Sequence, residues 1–142
     1  MRILLLFIAL LCAATLSSSL TPSVSQAANA AKKERAVVKF DKPVQLMGVT
    51  LKGEYLFVHN DELMAQGKAC TFVYRGQAEN VKNLIISFHC TPAERDRAAY
   101  FIVRTLLTSP GQYKIREFQF AGSTESHLVP SGQHAGHVTI AN

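Results

Sequence analysis

Ala69-Cys70-Thr71-Phe72-Val73-Tyr74-Arg75 and Asn83-Leu84-Ile85-Ile86-Ser87-Phe88-His89-Cys90 are two apolar runs on either side of a polar stretch, residues 76–82. Both are rich in β-branched and aromatic residues, and both alternate with the period of a strand. Cys70, Phe72 and Tyr74 share one face of the first; Leu84, Ile86, Phe88 and Cys90 share one face of the second. Folded back antiparallel with Cys70 opposite Cys90, Phe72 meets Phe88 and Tyr74 meets Ile86. One register then pairs the cysteines and the apolar faces together. Directly opposed residues at a non-hydrogen-bonded position lie about 4.5 Å apart at Cα, which a disulfide accepts. The expectation is a hairpin, or two neighbouring strands, closed by a Cys70–Cys90 disulfide. Closing a loop of this size stabilises by roughly 3 kcal/mol in the chain-entropy model. Two free, buried thiols are the alternative.

The start of the chain bears on that choice. Residues 1–30 read as a secretory signal peptide. Arg2 supplies the positive end, and residues 3–16 form an apolar segment shorter than the roughly 20 residues of a membrane span. Small-residue cleavage sites follow at Ala27 and Ala30, of which Ala30 is favoured. Cys12 lies inside the apolar segment, so cleavage leaves Cys70 and Cys90 as the remaining pair. The expectation is export by the general secretory route to the periplasm or outside the cell, with no transmembrane anchor after cleavage. Disulfides persist in such compartments.

The rest divides into a basic N-terminal arm (31–35), a β-domain (36–130) and a polar C-terminal tail (131–142). The chain has 142 residues and a formal charge of +5. Lys32, Lys33 and Arg35 cluster in the arm, but no aromatic-basic cluster accompanies them, which speaks against a nucleic-acid partner. Strand patterns cover residues 36–40, 44–51, 53–59, 100–107 and 113–120, besides the two cysteine segments. Asn60-Asp61 offers a cap and Gly67 a stop for a short helix. Thr91-Pro92-Ala93-Glu94 has capping-box spacing with proline at the first helical position, predicting a second short helix over 92–98. Ser109-Pro110-Gly111-Gln112 is a turn signal. Tyr113 and Ile115 have odd parity whereas Phe118 and Phe120 have even parity, so a bulge or a twist is required near Arg116-Glu117. Residues 138–140 are a weak further strand. The fold class is all-β: an antiparallel sandwich or small barrel with one or two short helical turns and one disulfide.

Three stretches resemble a family of small exported bacterial proteins known only as uncharacterised. They are Phe40-Asp41-Lys42-Pro43 through Gly53-Glu54-Tyr55-Leu56-Phe57-Val58-His59, then Ser87-Phe88-His89-Cys90-Thr91-Pro92, then Glu117-Phe118-Gln119-Phe120-Ala121-Gly122 continuing to His127-Leu128-Val129-Pro130. The resemblance covers about residues 40–130. It implies export and brings no activity, cofactor or catalytic residue with it.

Five histidines could carry chemistry: His59, His89, His127, His134 and His137. With both cysteines in a disulfide, histidine and carboxylate must do any ligating. His59 and His89 fall at strand ends and His127 follows the last strong strand, so the three could converge on one rim as a zinc or copper site, with Asp61 or Glu125 nearby. Against this, His59 shares a face with Tyr55 and Phe57, as a core-edge histidine would. His134-x-x-His137 sits among glycines that oppose a helix. His89 and Cys90 are adjacent on a strand, point to opposite faces and cannot form a thiolate–imidazole pair. No C-x-x-C, no G-x-S-x-G and no phosphate loop is present. The sequence therefore favours a non-enzymatic binding or structural role in the cell envelope, without cofactor, for a ligand or protein partner it does not identify. A metal-binding protein is the second reading, and an enzyme with an unannounced site the third.

Overall fold

A computed structural model describes residues 32–131 and the backbone of 139–140. The expected signal peptide and the His134 and His137 pair lie outside the described residues. Nine strands form one curled sheet in the order β5-β8-β7-β1-β2-β3-β4-β9, with β6 also paired to β7. The strands are β1 (Lys33–Leu46), β2 (Val49–Asn60), β3 (Thr71–Arg75), β4 (Leu84–Phe88), β5 (Thr91–Glu94), β6 (Ile102–Ser109), β7 (Gln112–Gln119), β8 (Glu125–Leu128) and β9 (Thr139–Ile140). A short helix, α1 (Asp61–Ala65), follows β2, and a 3-10 turn (Val81–Asn83) precedes β4. Among the described residues no helix is long and apolar enough to cross a membrane.

The expected all-β class holds, but the sheet is mixed and curls into half a barrel. β1 and β7 run parallel at Val44–Tyr113 and Gln45–Lys114, while every other pairing is antiparallel. β1 is longer than the sequence suggested. Lys33 to Arg35, read as a free arm, pair with Val58 to Asn60, and the strand passes Asp41-Lys42-Pro43 by a register shift between Phe40 and Val44. Met47 and Gly48 then reverse the chain, both with positive φ.

The cysteine segments pair one residue out of the expected register. Thr71 faces Phe88, Phe72 faces Ser87 and Val73 faces Ile86, with a bulge before Tyr74–Leu84. A one-residue slip exchanges the faces of a strand. Thr71 and Val73 therefore join Ile86 and Phe88 inside, while Phe72 and Tyr74 turn to the other side. There they pack with Leu56, Val58 and Leu84 in a second, smaller apolar cluster. Both faces being apolar, alternation alone could not choose between the two registers.

Thr91-Pro92-Ala93-Glu94 is a strand and not the start of a helix. It pairs antiparallel with β8, from Thr91–Leu128 to Glu94–Glu125. β5 is an edge strand, where a proline without an N–H is tolerated. Tertiary pairing here overrides a local capping signal. Other local signals hold. Asn60 caps α1, its side-chain oxygen accepting from the Glu62 and Leu63 N–H groups. Gly67 and Gly111 take the positive φ that their turns require. The parity switch in β7 is real: Arg104 faces Glu117 and Thr105 faces Ile115, leaving Arg116 as the extra residue. Its carbonyl accepts from the Val129 N–H at 2.9 Å.

The main core lies inside the curl and centres on Phe57, Phe88, Phe118 and Phe120, with Leu46, Leu51, Val73, Ile86 and Ile115. Glu117, beside it, is nearly buried and accepts from Arg95 through both oxygens, at 3.0 and 3.1 Å, and from Arg104 at 2.9 Å. Burial alone would raise its carboxyl. The Arg95 and Ser126 hydrogen bonds and the charges of Arg104 and Arg95 outweigh burial and hold it below the usual carboxylate range. A carboxyl depressed on folding stabilises above its unfolded pKa, and loses that contribution as pH falls through the folded value. Glu117→Gln is expected to cost about 1–2 kcal/mol at neutral pH, since water reaches both arginines. The difference should close at an acid pH below the depressed folded value, where the carboxyl is protonated in both states. Urea unfolding of both chains at the two pH values checks this, and an unchanged gap at low pH contradicts it.

Candidate metal centre

His59 is the penultimate residue of β2, with Glu34 of β1 as its register partner on one side and Thr71 of β3 on the other. His127 lies on β8, opposite Phe118 of β7 and Pro92 of β5. These two histidines come from distant parts of the sheet order, and the curl brings them face to face. Their ring centroids are 4.0 Å apart with planes 37° apart, and both are 0% exposed. Phe118 also stacks on His127, at 5.1 Å.

Cys70 and Cys90 stand immediately before β3 and β5 and are also fully buried. The expected disulfide is not formed: the sulfurs are 3.2 Å apart, against about 2.05 Å for the bond. The Cys90 N–H points at the Cys70 sulfur at 3.3 Å. The Cys90 sulfur lies 3.6 Å from His127 Nδ1. One donor atom from each of His59, Cys90 and His127 falls within 4.8 Å of the other two.

His59 and His127 thus meet as the sequence suggested, but His89 does not join them. Its Nδ1–H donates to the Lys68 carbonyl at 2.7 Å, and the ring is only half-buried, 3.8 Å from the Cys70 sulfur. Cys90 takes the inward place. A sequence signal for this existed: Cys90 shares parity with the core residue Phe88, so this segment could contribute to an interior site only through the cysteine. Assigning both cysteines to a disulfide hid it. His127, read as following the last strand, belongs to a strand itself.

Carboxylates back both imidazoles. Asp61 Oδ1 is 3.1 Å from His59 Nδ1, Glu34 Oε2 is 3.6 Å from His127 Nε2, and Glu125 Oε1 is 3.8 Å from His127 Nδ1. Burial pushes the Glu34 carboxyl up, but the neighbouring His127 imidazole and the Lys32 ammonium outweigh it and leave the group below its ordinary value. The two thiols share their protons unequally. The hydrogen bond from Cys90 drives the Cys70 thiol down, against burial and with help from His59. The same hydrogen bond, with burial, pushes the Cys90 thiol up.

Both nitrogens of His59 and Nε2 of His127 make no well-aligned hydrogen bond among the described residues, despite complete burial; Asp61 and Glu34 stand beside them as ion-pair neighbours only. Buried polar atoms are nearly always partnered, and each orphan costs about 1–3 kcal/mol. No family model, curated protein or solved structure matches the chain.

Proposed function

We propose that this chain is an exported β-domain, akin to the small bacterial family it resembles, that holds one transition-metal ion between His59, His127, Cys90 and Cys70. The observation that carries this reading is the convergence of two imidazoles and two thiols in the buried core, with imidazole nitrogens left unpartnered. Zinc–sulfur bonds of about 2.3 Å and zinc–nitrogen bonds of about 2.0 Å at a tetrahedral centre set the donor spacings. They place sulfur about 3.8 Å from sulfur and about 3.5 Å from nitrogen. The corresponding distances here are 3.2 and 3.6 Å. Such a donor set suits zinc(II) or copper(I) and not a hard cation such as magnesium. Asp61 and Glu34 would orient the two imidazoles from behind, as outer-shell carboxylates do. Enclosure of all four donors suits a centre that stores, carries or is stabilised by its ion more than one that opens it to a substrate.

The test is metal uptake by the reduced full chain under argon, titrated separately with zinc(II) and copper(I) against a competing chelator. One ion per chain is expected, with His89→Ala unaffected and Cys90→Ser weakened by at least about 100-fold. Absence of stoichiometric uptake of either ion, or equal weakening by His89→Ala and Cys90→Ser, sinks the reading. The domain would then return to the metal-free binding or structural role that its composition suggests first.

A further inference from the structure

The two sulfurs occupy an intermediate position. At 3.2 Å they are slightly closer than two ligands of one zinc ion and about 1.1 Å too far apart for a bond. Each sits just outside a strand, at the position immediately before β3 or β5. A sulfur in a disulfide is no longer a thiolate ligand. The same two atoms therefore cannot serve the metal and each other at once.

We infer that Cys70 and Cys90 are a two-electron switch on the metal centre: reduced they hold the ion, and oxidised by hydrogen peroxide they join and release it. This rests on the metal-binding reading above. Peroxide is the oxidant considered because the sulfurs are buried, which excludes a bulky disulfide partner but not a molecule little larger than water. The Cys70 sulfur lies 3.8 Å from Nδ1 of the half-buried His89, the more exposed neighbour of the pair. The Cys70 thiolate attacks one peroxide oxygen; the O–O bond breaks, hydroxide leaves and Cys70 becomes a sulfenic acid. The Cys90 sulfur then attacks the Cys70 sulfur. The S–S bond forms, the S–O bond breaks and a second hydroxide leaves; because both ligating sulfurs start as thiolates, the two hydroxides take their protons from solvent. In total two electrons pass from the sulfurs to peroxide, and the ion keeps only two imidazoles. Affinity should drop by at least about 1,000-fold, since both thiolates are lost together.

The full chain, reduced and loaded with zinc(II), is treated with equimolar peroxide and followed by native mass spectrometry and a zinc-sensitive dye. Zinc is chosen because it has no redox chemistry of its own. The expected product is metal-free and about 2 Da lighter than the reduced apo chain, with one zinc released per disulfide, and reduction in urea followed by refolding restores uptake. A lighter species that retains zinc overturns the switch and leaves the metal site standing. So does a product about 32 Da heavier, with a sulfinic acid in place of the disulfide. A reduced chain that takes up neither zinc nor copper(I) before peroxide is added overturns the metal reading itself, and the switch with it.

Discussion

Replacing His127 by leucine is expected to lower the zinc affinity of the proposed site by about 100-fold or more and to make the metal-free chain more stable than its parent. The two effects have opposite signs for one reason. A four-ligand zinc site is worth about 10–16 kcal/mol, so a single ligand contributes roughly 3 kcal/mol, or more than two decades in affinity. Without metal, the His127 ring is a buried group with Nε2 unpartnered, and leucine fills similar space without a polar atom. Removing it is expected to gain about 1 kcal/mol in the metal-free, reduced state. The corresponding change at His59, whose two nitrogens are both orphaned, should go the same way. Chelator-competition titrations give the first number and urea unfolding with a reductant present gives the second. If His127→Leu destabilises the metal-free chain by more than about 1 kcal/mol, the ring is a structural core element and its orphan nitrogens have been satisfied some other way.

Phe118→Ala should have the largest effect on stability, about 3–5 kcal/mol. The ring is fully buried and meets five others: Phe57 at 5.4 Å, Phe88 at 6.4 Å, Phe101 at 6.3 Å, Phe120 at 5.9 Å and His127 at 5.1 Å. Three of these contacts, with Phe57, Phe88 and Phe120, are edge-on, the arrangement the ring quadrupole favours. Truncation leaves a void bounded by β2, β4 and β7, and these paired strands cannot collapse into it without breaking their ladders. For a domain of about 100 residues this corresponds to a fall in melting temperature of roughly 15–30 °C. Val81→Ala is the control, because Val81 is 84% exposed and should shift stability by less than about 0.5 kcal/mol. A loss below about 1.5 kcal/mol for Phe118→Ala would mean that the aromatic cluster repacks and is not the keystone of the fold. The variant also removes the surface against which His127 stacks, so metal affinity should weaken in parallel.

Local chemistry made part of this structure legible. The Asn60 cap, the turn at residues 109–112 and the bulge demanded by the parity of Ile115 and Phe118 are each set by residues a few positions apart. The structure has all three. What sequence could not resolve depended on distant partners. Thr91–Glu94 carries a helix-start signal and became an edge strand because β8 was there to pair with it. The register of β3 against β4 was ambiguous because Phe72 and Tyr74 are as apolar as Val73, and the second apolar cluster on the outer face satisfies them. For the site, His59 and His127 were visible as candidates. Their meeting depends on the curl of the sheet, which no alternation pattern encodes. The substitution of Cys90 for His89 turns on which of two adjacent side chains faces inward, and Phe88 had already decided that.

The bulge at Arg116 has a consequence for how this chain can vary. Its side chain is exposed, while its backbone occupies a step that β6 does not match and its carbonyl receives Val129. Position 116 therefore acts as a spacer whose identity is free and whose presence is not. Deleting it would turn Phe118 and Phe120 outward together and withdraw the stacking partner of His127, a loss no single substitution there could cause. The strand tolerates spelling errors at this point, but not a change of frame.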